Sequence, residues 1–186
     1  MDFVDIAKAI RAGKPDMAMP FQVKPYDIDV AGIVHNSVYH CWLDDLRCEF
    51  LTRVLSVEDQ VELGFIPVLA RTDISYKRPI KFGDKISAEL RLTNLGKIKW
   101  RIDCIFFVGS TVVTEAMQEG CVVDLQSHRP IPMPDSFQSY WQTKLDLLSG
   151  NANATSSSFQ NVESFVDSSV DSSVDMFSDQ AVVCPV

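Results

Sequence analysis

The chain has 186 residues, 46% of them hydrophobic and 23% charged, which suits one globular domain with a sizeable core. No run approaches the ~18 apolar residues of a membrane helix, and Met1-Asp2-Phe3-Val4-Asp5 has acids where a secretory leader has bases, so a cytoplasmic location without a membrane span is expected. The net charge is −8, but residues 151–186 hold five acids and no base; the remaining −3 gives no basic face for non-specific nucleic-acid binding.

Residues 1–15 read as an N-terminal helical extension. Phe3, Ile6, Ala7 and Ile10 recur at helical spacing, and Gly13 and Pro15 stop the helix. A first strand is expected over 18–25, ended by Pro25, and the loop 26–36 follows it. Val38, Trp42, Leu46, Phe50 and Val54, four apart and widened by Leu43 and Leu51, predict a long helix over 37–55 with a broad apolar face. Ser37 or Asn36 is the expected cap.

Everything after that helix reads as strands, over 66–78, 85–93, 98–108 and 111–124, at hairpin spacing. Ile86, Ala88, Leu90 and Leu92 alternate with polar residues, as do Trp100, Ile102, Cys104 and Phe106. The expected class is α+β, one long helix against a curled antiparallel sheet. Pro130, Pro132 and Pro134 mark the exit, and 136–148 closes a domain of residues 16–149 with a C-terminal helix. Nine of the 36 residues after Gly150 are serine, and Val-Asp-Ser-Ser repeats at 166 and 170. Residues 150–186 therefore read as a disordered acidic tail, with a regulatory or docking segment as the alternative.

Cys41, Cys48, Cys104, Cys121 and Cys184 are odd in number and show neither CxxC nor zinc spacing, so free thiols are expected. Chemistry points instead to the loop before the long helix. It carries Asp27, Asp29 and Gly32. A helix start presents unpaired N–H groups and partial positive charge, which can polarise a carbonyl oxygen. A carboxylate just ahead of it can attack the carbonyl carbon or activate water. Capping and solvation remain the simpler use of such carboxylates.

Asp27-Ile28-Asp29-Val30-Ala31-Gly32-Ile33-Val34, continuing to Tyr39 and Trp42-Leu43-Asp44, resembles the signature of hotdog-fold acyl-CoA thioesterases of the 4-hydroxybenzoyl-CoA thioesterase-like branch. Asp44, Arg47 and Glu49 stand where that helix pattern has acid, base and acid. Ser75-Tyr76-Lys77-Arg78-Pro79, Phe82-Gly83-Asp84, Glu115-Ala116, Gly120 and Val123-Asp124 extend the resemblance over residues 20–125.

The resemblance implies an acyl-CoA thioesterase with Asp29 as nucleophile or general base. The backbone N–H near Asn36 would polarise the thioester carbonyl, and Asp27 would hold the loop. His35 would line the acyl pocket or assist proton transfer, and Gly32, Val34 and Tyr39 would border substrate. His35-Asn36 departs from the pairs common in relatives, and Glu49 lies too far along the helix to replace Asp29. Coenzyme A phosphates need cations, and two clusters offer them: Lys77, Arg78, Lys81 and Lys85, or Lys97, Lys99 and Arg101. No metal or redox cofactor is implied. A homodimer or homotetramer is implied, with sites at the subunit boundary. Aromatic and medium fatty acyl groups both stay open. So do two alternatives, an acyl-carrier-protein thioesterase and a non-catalytic acyl-CoA-binding module.

Overall fold

The computed structural model describes Ile10 and residues 12–149. Of the helix expected over 1–13, only Ile10, Ala12 and Gly13 fall among these, and the stretch 150–186 lies outside them. Strand β1 (Met17–Gln22) is followed by helices α1 (Asn36–Val54) and α2 (Val57–Glu62), then by strands β2 (Phe65–Tyr76), β3 (Lys85–Leu95), β4 (Lys99–Val108), β5 (Thr111–Asp124) and β6 (Pro130–Ile131), and helix α3 (Asp135–Leu148) comes last. The expectation of strands alone after the long helix misses α2, whose one turn and a half is too short to show a period. Ser56 caps it by accepting from the Asp59 N–H. The two-residue β6 is missed as well.

The sheet is antiparallel in the order β1-β3-β4-β5-β2, with β6 beside the end of β5. Two of the expected hairpins are present, β3–β4 and β4–β5. The third is not: β2 pairs with β5, and β3 with β1. Residues 77–84 carry the chain across between them. The Lys77 and Arg78 N–H groups both donate to Val113 O, and Ile80 is fully buried, so this connection is pinned to the body.

Helix α1 lies on one face of the sheet. Its seam is Tyr39, Trp42, Leu43, Leu46 and Phe50, with Val38, Leu51 and Val54 at the margins. Ile86, Ala88, Leu90 and Leu92 face it from β3, and Trp100, Ile102, Cys104 and Phe106 from β4, as their alternation requires. Burying one such leucine contributes about 1.5–3 kcal/mol, and Leu43, Leu46 and Leu90 are fully buried. Gly120 has a steric origin: a Cβ there would lie 2.0 Å from Val68 O and 2.2 Å from the Trp100 ring. The outer sheet face carries paired charges instead, Arg71 with Asp73, Arg91 with Glu89, and Arg101 with Asp103 and Glu119.

Candidate active site

The loop between β1 and α1 is closed by its own backbone. Asp29 N–H donates to Ile33 O, Gly32 N–H to Asp29 O, and His35 N–H to Asp27 O, while Ile28 and Val34 form a bridge. Gly32 takes φ +75° at the end of the four-residue turn from Asp29, with open space around the missing Cβ. Backbone conformation, not close approach, is what its side chain would disturb. Val34, almost wholly buried, donates its N–H to Ile80 O at 2.8 Å, which ties the loop to the 77–84 connection.

The two aspartates are used differently. Asp27 is buried, and its Oδ2 accepts the Lys24 N–H at 2.7 Å. It holds the loop start. Asp29 is half-buried; its Oδ1 accepts the Ala31 N–H at 2.8 Å and the Ile33 N–H at 3.4 Å. Among the described residues nothing donates to Oδ2. One oxygen is anchored and the other is available.

The start of α1 differs from expectation in one respect. The cap is His35, not Ser37 or Asn36: its Nδ1 accepts from Ser37 N at 3.2 Å and lies 2.8 Å from Ser37 Oγ. An imidazole can accept at the same position as the usual short polar caps. With Nδ1 accepting, the neutral ring carries its proton on Nε2. Asn36 is the first helical residue and is exposed, and among the described residues no acceptor takes its N–H. That N–H sits at the positive end of a 19-residue helix.

Beneath the helix start the space is filled. Tyr39 is 2% exposed and meets the rings of Trp42, Tyr76 and Phe106 edge-on, at 5.4, 4.9 and 6.2 Å. Phe21 packs on Trp42 and Phe106. Burial holds the Tyr39 phenol above its ordinary value, with the Thr114 hydroxyl and the Ile80 backbone pulling against it. Around the loop, by contrast, Tyr26, Val30, Tyr76 and Phe82 are exposed.

The basic residues separate. Lys77 pairs with Glu115 at 3.1 Å. Arg78, Lys81 and Lys85 share the loop's end of the sheet, and Lys24 joins them two residues beyond Gln22, the partner of Lys85. Lys97 and Lys99 lie at the β3–β4 turn, beyond the other end of a strand about 33 Å long. One subunit therefore cannot use both clusters on one small ligand. Arg101, third of that second group, is engaged with Asp103 and Glu119.

On α1, Arg47 binds Asp44 at 2.7 Å and donates to Gln118 Oε1 at 2.8 Å, while Glu49 is exposed. Gln118, fully buried on β5, has no signal in the sequence beyond being polar at an inward position. Among the described residues no group of three His, Cys, Asp or Glu side chains could hold a metal ion, and no helix is long and apolar enough to cross a membrane.

A family model described as the thioesterase-like superfamily matches residues 23–140. A protein of Aquifex aeolicus described as a putative esterase is 29% identical over 110 residues, covering 56% of this chain and 86% of that one. A 1,4-dihydroxy-2-naphthoyl-CoA hydrolase of Synechococcus elongatus is 27% identical over 128 residues, covering 64% and 90%. The solved structure of a DHNA-CoA thioesterase from Staphylococcus aureus superposes with a TM-score of 0.65 at 16% identity, covering 72% of this chain and 93% of that one. The superposition carries the hotdog fold.

Proposed function

The chain belongs to the thioesterase-like superfamily, and from that membership we propose that it hydrolyses an acyl-CoA thioester to the free acid and coenzyme A. The observation that carries this reading is the division of labour at Asp29: Oδ1 is held by two loop amides while Oδ2 is uncommitted. In the same closed loop the helix offers the untaken Asn36 N–H. Oδ2 attacks the thioester carbon, or takes the proton of a water that does. The carbonyl oxygen gathers negative charge as the new C–O bond forms, and the Asn36 N–H with the helix dipole stabilises it. The C–S bond then breaks and the thiolate is protonated; on the nucleophilic route water then cleaves the acyl–Asp29 anhydride, which releases the free acid and restores the carboxylate. His35 stands next to this helix start, and its Nε2–H can donate a hydrogen bond to the leaving sulfur. On the general-base route the proton that Asp29 takes from water is the one returned to the thiolate.

In this reading the acyl group is compact and flat. The aromatic cluster of Phe21, Tyr39, Trp42 and Phe106 leaves no path under α1, so the group rests against exposed Tyr26, Val30, Tyr76 and Phe82. Tyr39 and Val34 border substrate only through the surface they support. The phosphates fall to Arg78 and Lys81, with Lys77 beside them. A second copy pairs along β2, a twelve-residue strand with one edge open, and brings its own surface to the site. The unpaired cations at this end favour one further reading, an acyl group delivered on an acidic carrier protein.

The test is thiol release from benzoyl, naphthoyl and C8–C16 acyl-CoA esters and from carrier-protein esters, with Asp29→Asn in parallel. The expected result is turnover of an aromatic acyl-CoA that falls about 10²–10⁴-fold in the variant while coenzyme A binding stays. Equal turnover by both proteins would remove Asp29 from the chemistry. Ligand binding without turnover by the wild type would leave a non-catalytic binding module.

A further inference from the structure

Six of the 15 described lysines and arginines sit in ion pairs, and the others include Lys14, Arg53, Lys97, Lys99 and Arg129. The six are Arg47, Arg71, Lys77, Arg91, Arg101 and Lys144. Lys24, Arg78, Lys81 and Lys85 sit in none, among the described residues, and all four are exposed at the loop's end of the sheet. The two carboxylates nearest them in sequence are turned to backbone: Asp27 accepts from Lys24 N, and Asp84 from Lys81 N at 2.8 Å. Four exposed cations thus share one end of the sheet with no side-chain counterion among the described residues.

The same chain carries the opposite charge elsewhere. Glu163, Asp167, Asp171, Asp175 and Asp179 recur every four residues with no base between them. The 13 residues 150–162 that precede them are uncharged and rich in serine, asparagine and alanine. We propose that the acidic segment 163–179 docks on the Lys24–Arg78–Lys81–Lys85 rim and competes there with the phosphates of the substrate. The competition, though not the docking, rests on the coenzyme A reading above.

Reach and charge both fit. Helix α3 ends one turn beyond Lys144, whose ammonium donates to Leu92 O. From Leu92 to Lys85 along β3 is about 23 Å, and 13 residues can span up to about 43 Å. That length of chain is enough for the first acid to reach the rim. A tethered segment acts at a high effective concentration, so even weak contacts populate the docked state. Lys97 and Lys99 at the β3–β4 turn, and Lys14 and Arg53 beside α3, are also within reach, but the rim gathers four cations on one edge.

The test uses the full chain. A zero-length carbodiimide couples touching carboxylates and amines, and mass spectrometry maps the links. At low salt, links from 163–179 to Lys24, Lys81 or Lys85 are expected, and these should vanish at 0.5 M NaCl, where the screening length falls to a few ångströms. No links at low salt, or links to Lys97 and Lys99 as frequent as to the rim, would overturn the docking. A second full-length protein carries E163Q, D167N, D171N, D175N and D179N. It should bind free coenzyme A about fivefold more tightly at low salt, with the gap closing at high salt. Equal affinity at low salt would overturn the competition. If neither protein binds coenzyme A, the coenzyme A reading and the competition fall together, and the cross-links still decide the docking.

Discussion

The two ends of α1 are built on opposite plans. At its N-terminus the loop leaves groups uncommitted: Asp29 Oδ2, the Asn36 N–H and four nearby cations. Beyond its C-terminal half a set of buried polar groups is bound together. Asp16 accepts from Tyr140 Oη at 2.6 Å and from Leu92 N at 2.7 Å, and it pairs with Lys144 at 2.5 Å. Lys144 also donates to Leu92 O and lies 5.7 Å from the Trp141 ring centroid. The space between is apolar, a void of about 30 Å³ walled by Phe50, Trp100, Ile102, Met133 and Phe137. It exceeds the roughly 10–15 Å³ needed for one water, but offers a water few partners. One end spends these polar groups on stability, while the other leaves its groups open, which is where the proposed substrate would meet them.

The largest test of this contrast is Lys144→Met. It strands Asp16 with two remaining donors in a buried place, and should cost about 3 kcal/mol of unfolding free energy in urea. Thiol release per folded molecule should not change. A loss of turnover with full stability would show that the ends are coupled. Gly32→Ala is the converse: φ +75° is held against a Cβ at about 1–2 kcal/mol. Turnover should fall more than coenzyme A affinity, because the turn that presents Asp29 is displaced. Equal losses in both would mean that the loop serves only binding.

The basic clusters supply a smaller effect. Arg78→Ala should weaken coenzyme A binding several-fold at low salt, about 0.5–1 kcal/mol, and Lys97→Ala should leave it unchanged. The reverse order in a titration would move the phosphate site to the other end of β3. The smallest effect is in pH. Burial and the Asp16 carboxylate hold the Tyr140 phenol above its ordinary value of 10.0, so the folded state keeps a proton that the unfolded chain gives up. The stability this contributes is complete below pH 10 and is lost as pH rises towards the folded value. Urea midpoints between pH 9 and 11 should fall more steeply for the wild type than for Tyr140→Phe. Parallel slopes would deny Tyr140 that role.

Much of the molecule was legible before folding. The inward residues of β3 and β4 and the extent of α1 follow from periods of 2 and 3.6 residues, because each reports one face of one element. Asp27 and Asp29 were legible as a pair, and the resemblance singled out the second. It also gave Asp27 the task of holding the loop; which backbone N–H groups each carboxylate meets was not legible, since that depends on how the loop closes. His35 as the cap was missed because its ring competes with shorter, commoner capping side chains. Gly120 carried no local signal beyond the resemblance, for its reason is a tryptophan on the next strand.

Composition, period and the resemblance determined the class of fold and the long helix, and the loop motif marked the two carboxylates ahead of it. These are properties of short stretches of chain, settled by side-chain direction and local hydrogen bonding. Tertiary structure alone decided that β2 leaves its sequence neighbour for β5 and that the two lysine clusters stand at opposite ends of one strand. It also decided that four cations near the loop share one end of the sheet without an ion pair among the described residues. Those outcomes depend on contacts between residues far apart in sequence, where burial of a shared face and pairing of strand edges outweigh any local preference.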